Sequence, residues 1–339
     1  MDLIPILYSH KMHNFNISAD LRYLMFKTSA LCIGDIDNEK IYEIKRDSAP
    51  YYSAFAADNS FALIKSDFSC FILSENFQKK TTIRKTYYDD TFGFCKPIVY
   101  KNHFFVFCTH FNIKSEGLHI YQYEGIKRKL LFSIKDCYLC DNRIYNDTLY
   151  AVMNTCNIGG IELKLYVYKY NLLTQRQELL EHSLGQIKGK NWVVIPQRNL
   201  LVTIQNKDND YYGCSFICFY QMDNFNLLCV KELEKVPIMP LAPVIDDIEV
   251  ICNGKYVVTS NSRRGLKIFS TEDFSLVKEV SLPGILELTV CDNDNFCCAR
   301  SFGDLVVFTP VASNENTELI KRIDNCLSKN GLENLSAKD

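Results

Sequence analysis

Glycine and proline are scarce in this chain of 339 residues, at 14 and 9, and there is a single tryptophan, Trp192. Collagen-like and low-complexity readings therefore fail. A charge excess is missing too: 38 Lys and Arg stand against 40 Asp and Glu, a formal net charge of −2. Nucleic-acid binders draw much of their affinity from basic groups that neutralise phosphates, so the overall balance speaks against direct nucleic-acid binding. No stretch approaches the roughly 18 continuous apolar residues of a membrane helix. The opening MDLIPILYSH has an acid at position 2, no basic start and too short an apolar run for a signal peptide. The 15 cysteines lie mostly inside apolar runs such as FFVFC (104–108), SFICFY (215–220) and NFCCAR (295–300). An odd count without framework spacing implies free buried thiols in a reducing compartment. The expectation is a soluble intracellular protein, cytoplasmic, with the nucleus also open.

Apolar residues are present in quantity, at 47%, which is enough for a large core. Their arrangement repeats. A run of the type YVVTS occurs seven times, within 22–29, 60–67, 103–110, 148–155, 199–206, 255–262 and 295–302. Before each copy stands a turn: ISADL, AADN, VYKN, IYND, IPQR, CNGK and CDNDN. Asn, Asp and Gly prevail in tight hairpins because they tolerate left-handed or Asx-bonded backbone. A second run, of the type LKIFS, follows at 30–37, 69–76, 118–125, 163–171, 215–223, 266–273 and 304–310. A third run follows six of these, at 40–46, 79–85, 128–134, 177–184, 227–233 and 275–280. The seventh third run is missing after Pro310, and LIPILYSH (3–10) has the right character to supply it. Short apolar runs before the turns, such as 52–56, 191–195, 247–252 and 286–291, complete a unit of four strands. Units follow one another at about 35 to 55 residues, within reach of the four-strand propeller period.

One four-stranded sheet cannot bury both faces alone, whereas seven packed radially cover one another and leave only short edges. On these runs and turns the chain resembles the seven-bladed β-propeller family, in particular WD-repeat-like propellers, over about residues 1–310. It departs from the orthodox WD-repeat pattern, with no Gly-His and no Trp-Asp pair at the expected places. The resemblance implies an all-β ring of four-stranded antiparallel blades closed by the N-terminal strand. A large antiparallel sandwich is the other arrangement such strands allow. Residues 311–339 form a polar tail. Within it Leu319, Ile320, Ile323, Cys326 and Leu327 fall on one helical face, with Asn316 or Thr317 as cap and Gly331 as stop. This helix would pack on the ring or engage a partner.

Motifs for chemistry are weak. His10 and His13 form an HxxH without further ligands at metal spacing. Cys137 and Cys140 form a CxxC with no second pair and no following helix. DNDN (292–295) lacks the Glu of a calcium loop, since the twelfth position is Gly303. In QIKGKN (186–191) the Gly-Lys pair has Leu184 where a phosphate loop needs Gly. There is no Gly-x-Ser-x-Gly elbow. Phosphoinositide-binding propellers carry an Arg-Arg-Gly motif, but Arg263 and Arg264 fall between a second and a third strand, so lipid binding is not expected. No cofactor or metal is implied. Asp246, Asp247, Glu249 and Glu287 lie near the first strands of units six and seven. They leave open a metal-dependent hydrolase of the lactonase type with acids at the channel mouth.

The connection between second and third strands is short in units one and two and long in three (110–117), four (155–162) and five (207–214). In propellers these loops share a face with the connections between blades, so the three long ones would form a raised arc. Loops on a rigid scaffold are where binding concentrates. The arc holds Phe111, Lys114, Glu116, Ile158, Asp208, Asp210, Tyr211 and Tyr212 as candidate partner-binding residues, with exposed Tyr suited to interface anchors. The expected function is a non-catalytic protein-interaction scaffold, a subunit or adaptor of a larger assembly.

Overall fold

The computed structural model describes residues 3–9, 12–45, 51–55, 61–65, 70–73, 79–83, 98–100, 103–110, 117–124, 127–155, 163–185, 189–206, 215–234, 246–261, 265–282, 284–285, 287–300, 304–310 and 314–332. After β1 (Ile4–Ser9), strands follow in fours. Sheet one is β2 (His13–Ile17), β3 (Tyr23–Lys27), β4 (Leu31–Asp35) and β5 (Lys40–Lys45). Sheet two is β6 (Tyr51–Phe55), β7 (Phe61–Lys65), β8 (Cys70–Leu73) and β9 (Lys79–Ile83). Sheet three is β10 (Ile98–Tyr100), β11 (His103–His110), β12 (Gly117–Glu124) and β13 (Lys127–Lys135). Sheet four is β14 (Cys137–Tyr145), β15 (Thr148–Thr155), β16 (Lys164–Asn171) and β17 (Gln177–Ser183). Sheet five is β18 (Gly189–Ile195), β19 (Leu200–Asn206), β20 (Ser215–Gln221) and β21 (Leu227–Glu234). Sheet six is β22 (Asp246–Ile251), β23 (Tyr256–Asn261), β24 (Gly265–Ser270) and β25 (Leu276–Ser281). Sheet seven is β26 (Glu287–Val290), β27 (Cys297–Arg300), β28 (Leu305–Thr309) and, outermost, β1. Each sheet is antiparallel in chain order, as the repeat predicts. The N-terminal strand closes the last sheet, with Ile4 opposite Thr309 and Ser9 opposite Leu305.

The burial of each strand follows from its place. Second and third strands are covered on both faces by neighbouring sheets, so β3 and β4 are buried throughout. Fourth strands lie at the rim, and β25 is mostly open to solvent. Inner strands pack in sequence around the axis, β2 on β6, β6 on β10, β14 on β18, β18 on β22 and β22 on β26. Sheets seven and one meet in one apolar cluster that joins Ile6, Leu7, Leu305 and Val307 to Phe15, Ile17, Leu24 and Phe26.

A structural repeat underlies the sequence repeat. In sheets one, four, five and six, the first residue after the third strand donates its N–H to a carbonyl at the start of the second strand. The pairs are Ile36 to Arg22 (2.9 Å), Leu172 to Asp147 (2.8 Å), Met222 to Asn199 (2.8 Å) and Thr271 to Lys255 (3.1 Å). A left-handed residue then reverses the chain: Glu39, Gln175, Phe225 and Phe274 have φ of 52°, 57°, 59° and 59°. The side chains at these positions differ, apart from the two phenylalanines, because what repeats is a backbone bond.

The tail forms helix α1 (Asn314–Lys329). It starts before the expected caps, so Asn316 and Thr317 fall within its first turn. Its buried face is Leu319, Ile323, Cys326 and Leu327, with Ile320 partly covered, and it joins the cluster of sheets seven and one. Arg322 pairs with Asp37, and Lys329 with Glu39. Gly331, at φ 73°, ends the helix; Leu332 N–H bonds to Leu327 C=O (3.0 Å) and Gly331 N–H to Ser328 C=O (3.0 Å). This is a Schellman stop. Because Ile323 is fully buried, Ile323→Ala should lower unfolding stability by about 2–4 kcal/mol. Exposed Lys321→Ala should stay within about 0.5 kcal/mol. Denaturant titration checks both; equal effects would mean that the helix is undocked in solution.

Candidate interaction face

Strands alternate in direction, so each ring face receives a fixed kind of connection. One face carries the turns from first to second and from third to fourth strands. The other carries the connections from second to third strands and those between sheets.

The first face is locked by short polar contacts. The DNDN segment (292–295) is the hairpin between β26 and β27, and it grips both neighbours. Asn16 exchanges two bonds with Asp292, donating to its carboxylate (2.9 Å) and accepting from its N–H (2.7 Å). Asn293 donates to the carbonyls of Ile17 and Ala19 (3.0 Å each). On the other side the carbonyl of Asp294 accepts from Cys252 N–H (2.8 Å), and its carboxylate from Asn253 N–H. Tyr100 likewise reaches Asp147 (2.8 Å), and Gln197 reaches Asn253 (3.4 Å).

The opposite face carries the three long connections on consecutive sheets. Their candidate residues, Phe111, Lys114, Glu116, Ile158, Asp208, Asp210, Tyr211 and Tyr212, lie outside the described residues, as do Arg263 and Arg264. The strand ends that carry the loops are described. Thr155 closes the base of the second loop, its hydroxyl accepting from Lys164 N–H (2.9 Å). Gly117 and Gly265 begin the third strands of sheets three and six at φ 155° and 116°. A Cβ at either would strike the carbonyl oxygen of the flanking fourth strand, Ile134 or Val280. Glycine is therefore required where the chain leaves these loops.

At the axis the structure reveals an ion bridge that no sequence motif marks. Arg143, on the inner strand β14, reaches past sheet five to sheet six. Its guanidinium donates to Glu249 (3.1 Å), to the carbonyl of Val250 (3.4 Å) and to Asp141 (2.9 Å). Asp141 also accepts the N–H of Val194 in sheet five (2.9 Å), so one cluster ties three sheets. Burial works against the charge of Arg143, but the adjacent carboxylates outweigh it and hold the guanidinium above its usual range. CYLCDNRIY shows an acid and a base two apart on one strand, but nothing in it points to the partner 106 residues away. Arg143→Met would remove the cation between two partly buried carboxylates and should cost about 1.5–3 kcal/mol. Adding Glu249→Gln should recover part of the loss, as a double-mutant cycle by denaturation would show.

Three of the four acids considered for a hydrolase site, Asp247, Glu249 and Glu287, are tied up in the ring. Glu249 is in that bridge. Asp247 accepts the N–H groups of Leu288 and Ile248 (2.9 Å each) and lies 3.4 Å from the Asn191 amide. Burial raises its pKa while the two N–H groups oppose the rise. Glu287 pairs with Arg300 (2.7 Å), and the Asp246 side chain lies outside the described residues. Metal binding would require these acids to exchange their present partners. Among the described residues no group of three His, Cys, Asp or Glu could hold a metal ion. Of the HxxH, His10 and the His13 side chain lie outside the described residues. In the CxxC, Cys137 is buried, and burial pushes the Cys140 thiol well above its usual pKa, the reverse of an activated thiol.

Beside Trp192, His182 stacks on Phe225 (ring centroids 4.9 Å). Burial lowers the pKa of His182, and of His119, below the usual 6.5. The unfolded chain then binds more protons than the fold below about pH 6.5, so stability should fall as pH drops through that value. Asp247 acts in the opposite sense at lower pH. His182→Gln should flatten the decline between about pH 7 and 5 in thermal melts; an unchanged slope would assign it to other groups.

No protein-family model matches the chain, and no curated protein sequence does. Solved structures do. The Myceliophteria thermophila Cps50 (Swd1) β-propeller domain aligns at 10% identity with a TM-score of 0.56, over 92% of this chain and all of that one. BamB from Moraxella catarrhalis aligns at 12% identity with a TM-score of 0.50, over 87% of this chain and 84% of that one. The ring of four-stranded sheets and these two likenesses make the chain a β-propeller, alike to both in fold alone.

Proposed function

We propose that this propeller is a non-catalytic protein-interaction scaffold, a subunit or adaptor of a larger assembly. The observation that carries the reading is the contrast between its faces. One is closed by contacts between turns of neighbouring blades. The other takes long connections rich in aromatic and charged residues on three consecutive blades, at strand ends shaped by Gly117 and Thr155. A partner would meet Phe111, Ile158, Tyr211 and Tyr212, with Lys114, Glu116, Asp208 and Asp210 around them. Tyrosine suits this role because its large area is immobilised at low entropic cost. The ten cysteines whose side chains are described form no disulfide, and burial raises the Cys218 thiol to about 11. This supports a reducing compartment, cytoplasmic or nuclear. No helix among the described residues is long and apolar enough to cross a membrane.

The test begins with affinity purification from native cells at physiological salt, which names the partner. Tyr211→Ala with Tyr212→Ala should then weaken the purified complex by about tenfold or more, the loss of one or two anchors, with an unchanged melting curve. Unaltered affinity would move the site off this arc.

A further inference from the structure

Outer strands of a propeller leave one edge unpaired, and such edges are usually blunted. Here six of the seven carry a register shift against their neighbour: β1, β5, β9, β13, β21 and β25. The pairing of β17 with β16 is regular from Gln177 to Ser183.

The ladder fixes which groups β17 shows. Backbone bonds continue it at both ends, from Asn171 N–H to Arg176 C=O (2.9 Å) and from Leu184 N–H to Leu163 C=O (2.8 Å). Counting inward by twos, Glu178, Leu180 and His182 bond to β16. Gln177, Leu179 and Glu181 turn N–H and C=O to the outer edge, where no described strand pairs with them. Leu179, in the middle, is 43% exposed. Glu178 lies 3.4 Å from Lys169, which Asp223 shares (3.3 Å), and Glu181 lies 2.6 Å from Lys164, so a cation beside each acid lowers the repulsion between like edges without abolishing it where two carboxylates are directly opposed.

We infer that β17 pairs antiparallel with β17 of a second copy, joining two blades into one eight-stranded sheet. A two-fold axis at Leu179 sets Leu179 against its copy, Gln177 against Glu181 and Glu178 against Leu180. Moving the axis to Glu178 or to Glu181 opposes two identical carboxylates, which is unfavourable, so the register is confined around Leu179. The rim of a ring is convex, so adjacent blades recede and leave this edge accessible. The pairing does not depend on the loop face, and the Tyr211 and Tyr212 double variant should leave it intact.

Sedimentation velocity of the full chain over a concentration series tests it. The wild type should show a reversible dimer. Leu179→Pro removes an outward donor without touching the β16 ladder, and edge strands tolerate proline. Leu179→Lys removes the apolar contact. Each should raise the dimer dissociation constant by about tenfold or more with an unchanged melting curve. Leu276→Lys, on the shifted strand β25 and similarly exposed, should leave the dimer unchanged. Exchange of the Gln177, Leu179 and Glu181 amides should slow as the dimer forms. A monomer up to the solubility limit, including one whose edge is taken by a different protein, overturns the inference. So does a dimer indifferent to both Leu179 variants.

Discussion

The pairing of β1 with β28 is the contact on which the ring depends. Seven sheets in an open arc would leave two apolar faces in water. Joining strands from opposite ends of the chain costs entropy, but that cost grows only with the logarithm of the loop length. Against it stands the cluster of sheets seven and one, to which helix α1 adds Leu319, Ile323 and Leu327. Tyr8 reinforces the pairing by donating to Asp304 (3.0 Å). Strand β1 and helix α1 therefore meet in one apolar cluster.

Polar groups in the ring are concentrated where apolar packing cannot fix geometry. Sheets wedged together by Val, Ile and Leu can slide, because dispersion is not directional. The paired bonds of Asn16 and Asp292 and the bridge through Arg143 are directional, and they set how one blade sits against the next. With rotation fixed at the turns and the axis, the loops of the other face are free to differ in length from blade to blade. That separation lets a repeat architecture carry a single specific face.

Strands were legible because both of their signals are local. Asn146 and Asp147 adopt φ of 45° and 55°, as the IYND turn implies, and buried second strands read as unbroken apolar runs. The helix was legible on one face, down to its stop at Gly331. The Arg143 bridge was not found, because its members stand 106 residues apart and only closure brings blades four and six across the axis. The acids of sheets six and seven were legible as a group but not in their roles. A carboxylate that accepts N–H groups from the next blade looks, in sequence, the same as one open to a ligand.

By itself the sequence determined the strand repeat, the hairpin turns, the order of the sheets and the missing strand that the N-terminus supplies. These follow from periodicity and backbone preference, which act over a few residues. Only the tertiary structure decided that α1 packs on sheet one and joins the apolar cluster of the closing seam, that Arg143 spans the axis and that β17 alone keeps a regular edge among the outer strands. Those outcomes depend on distances between residues far apart in the chain, and a distance across the ring exists only once the ring has closed.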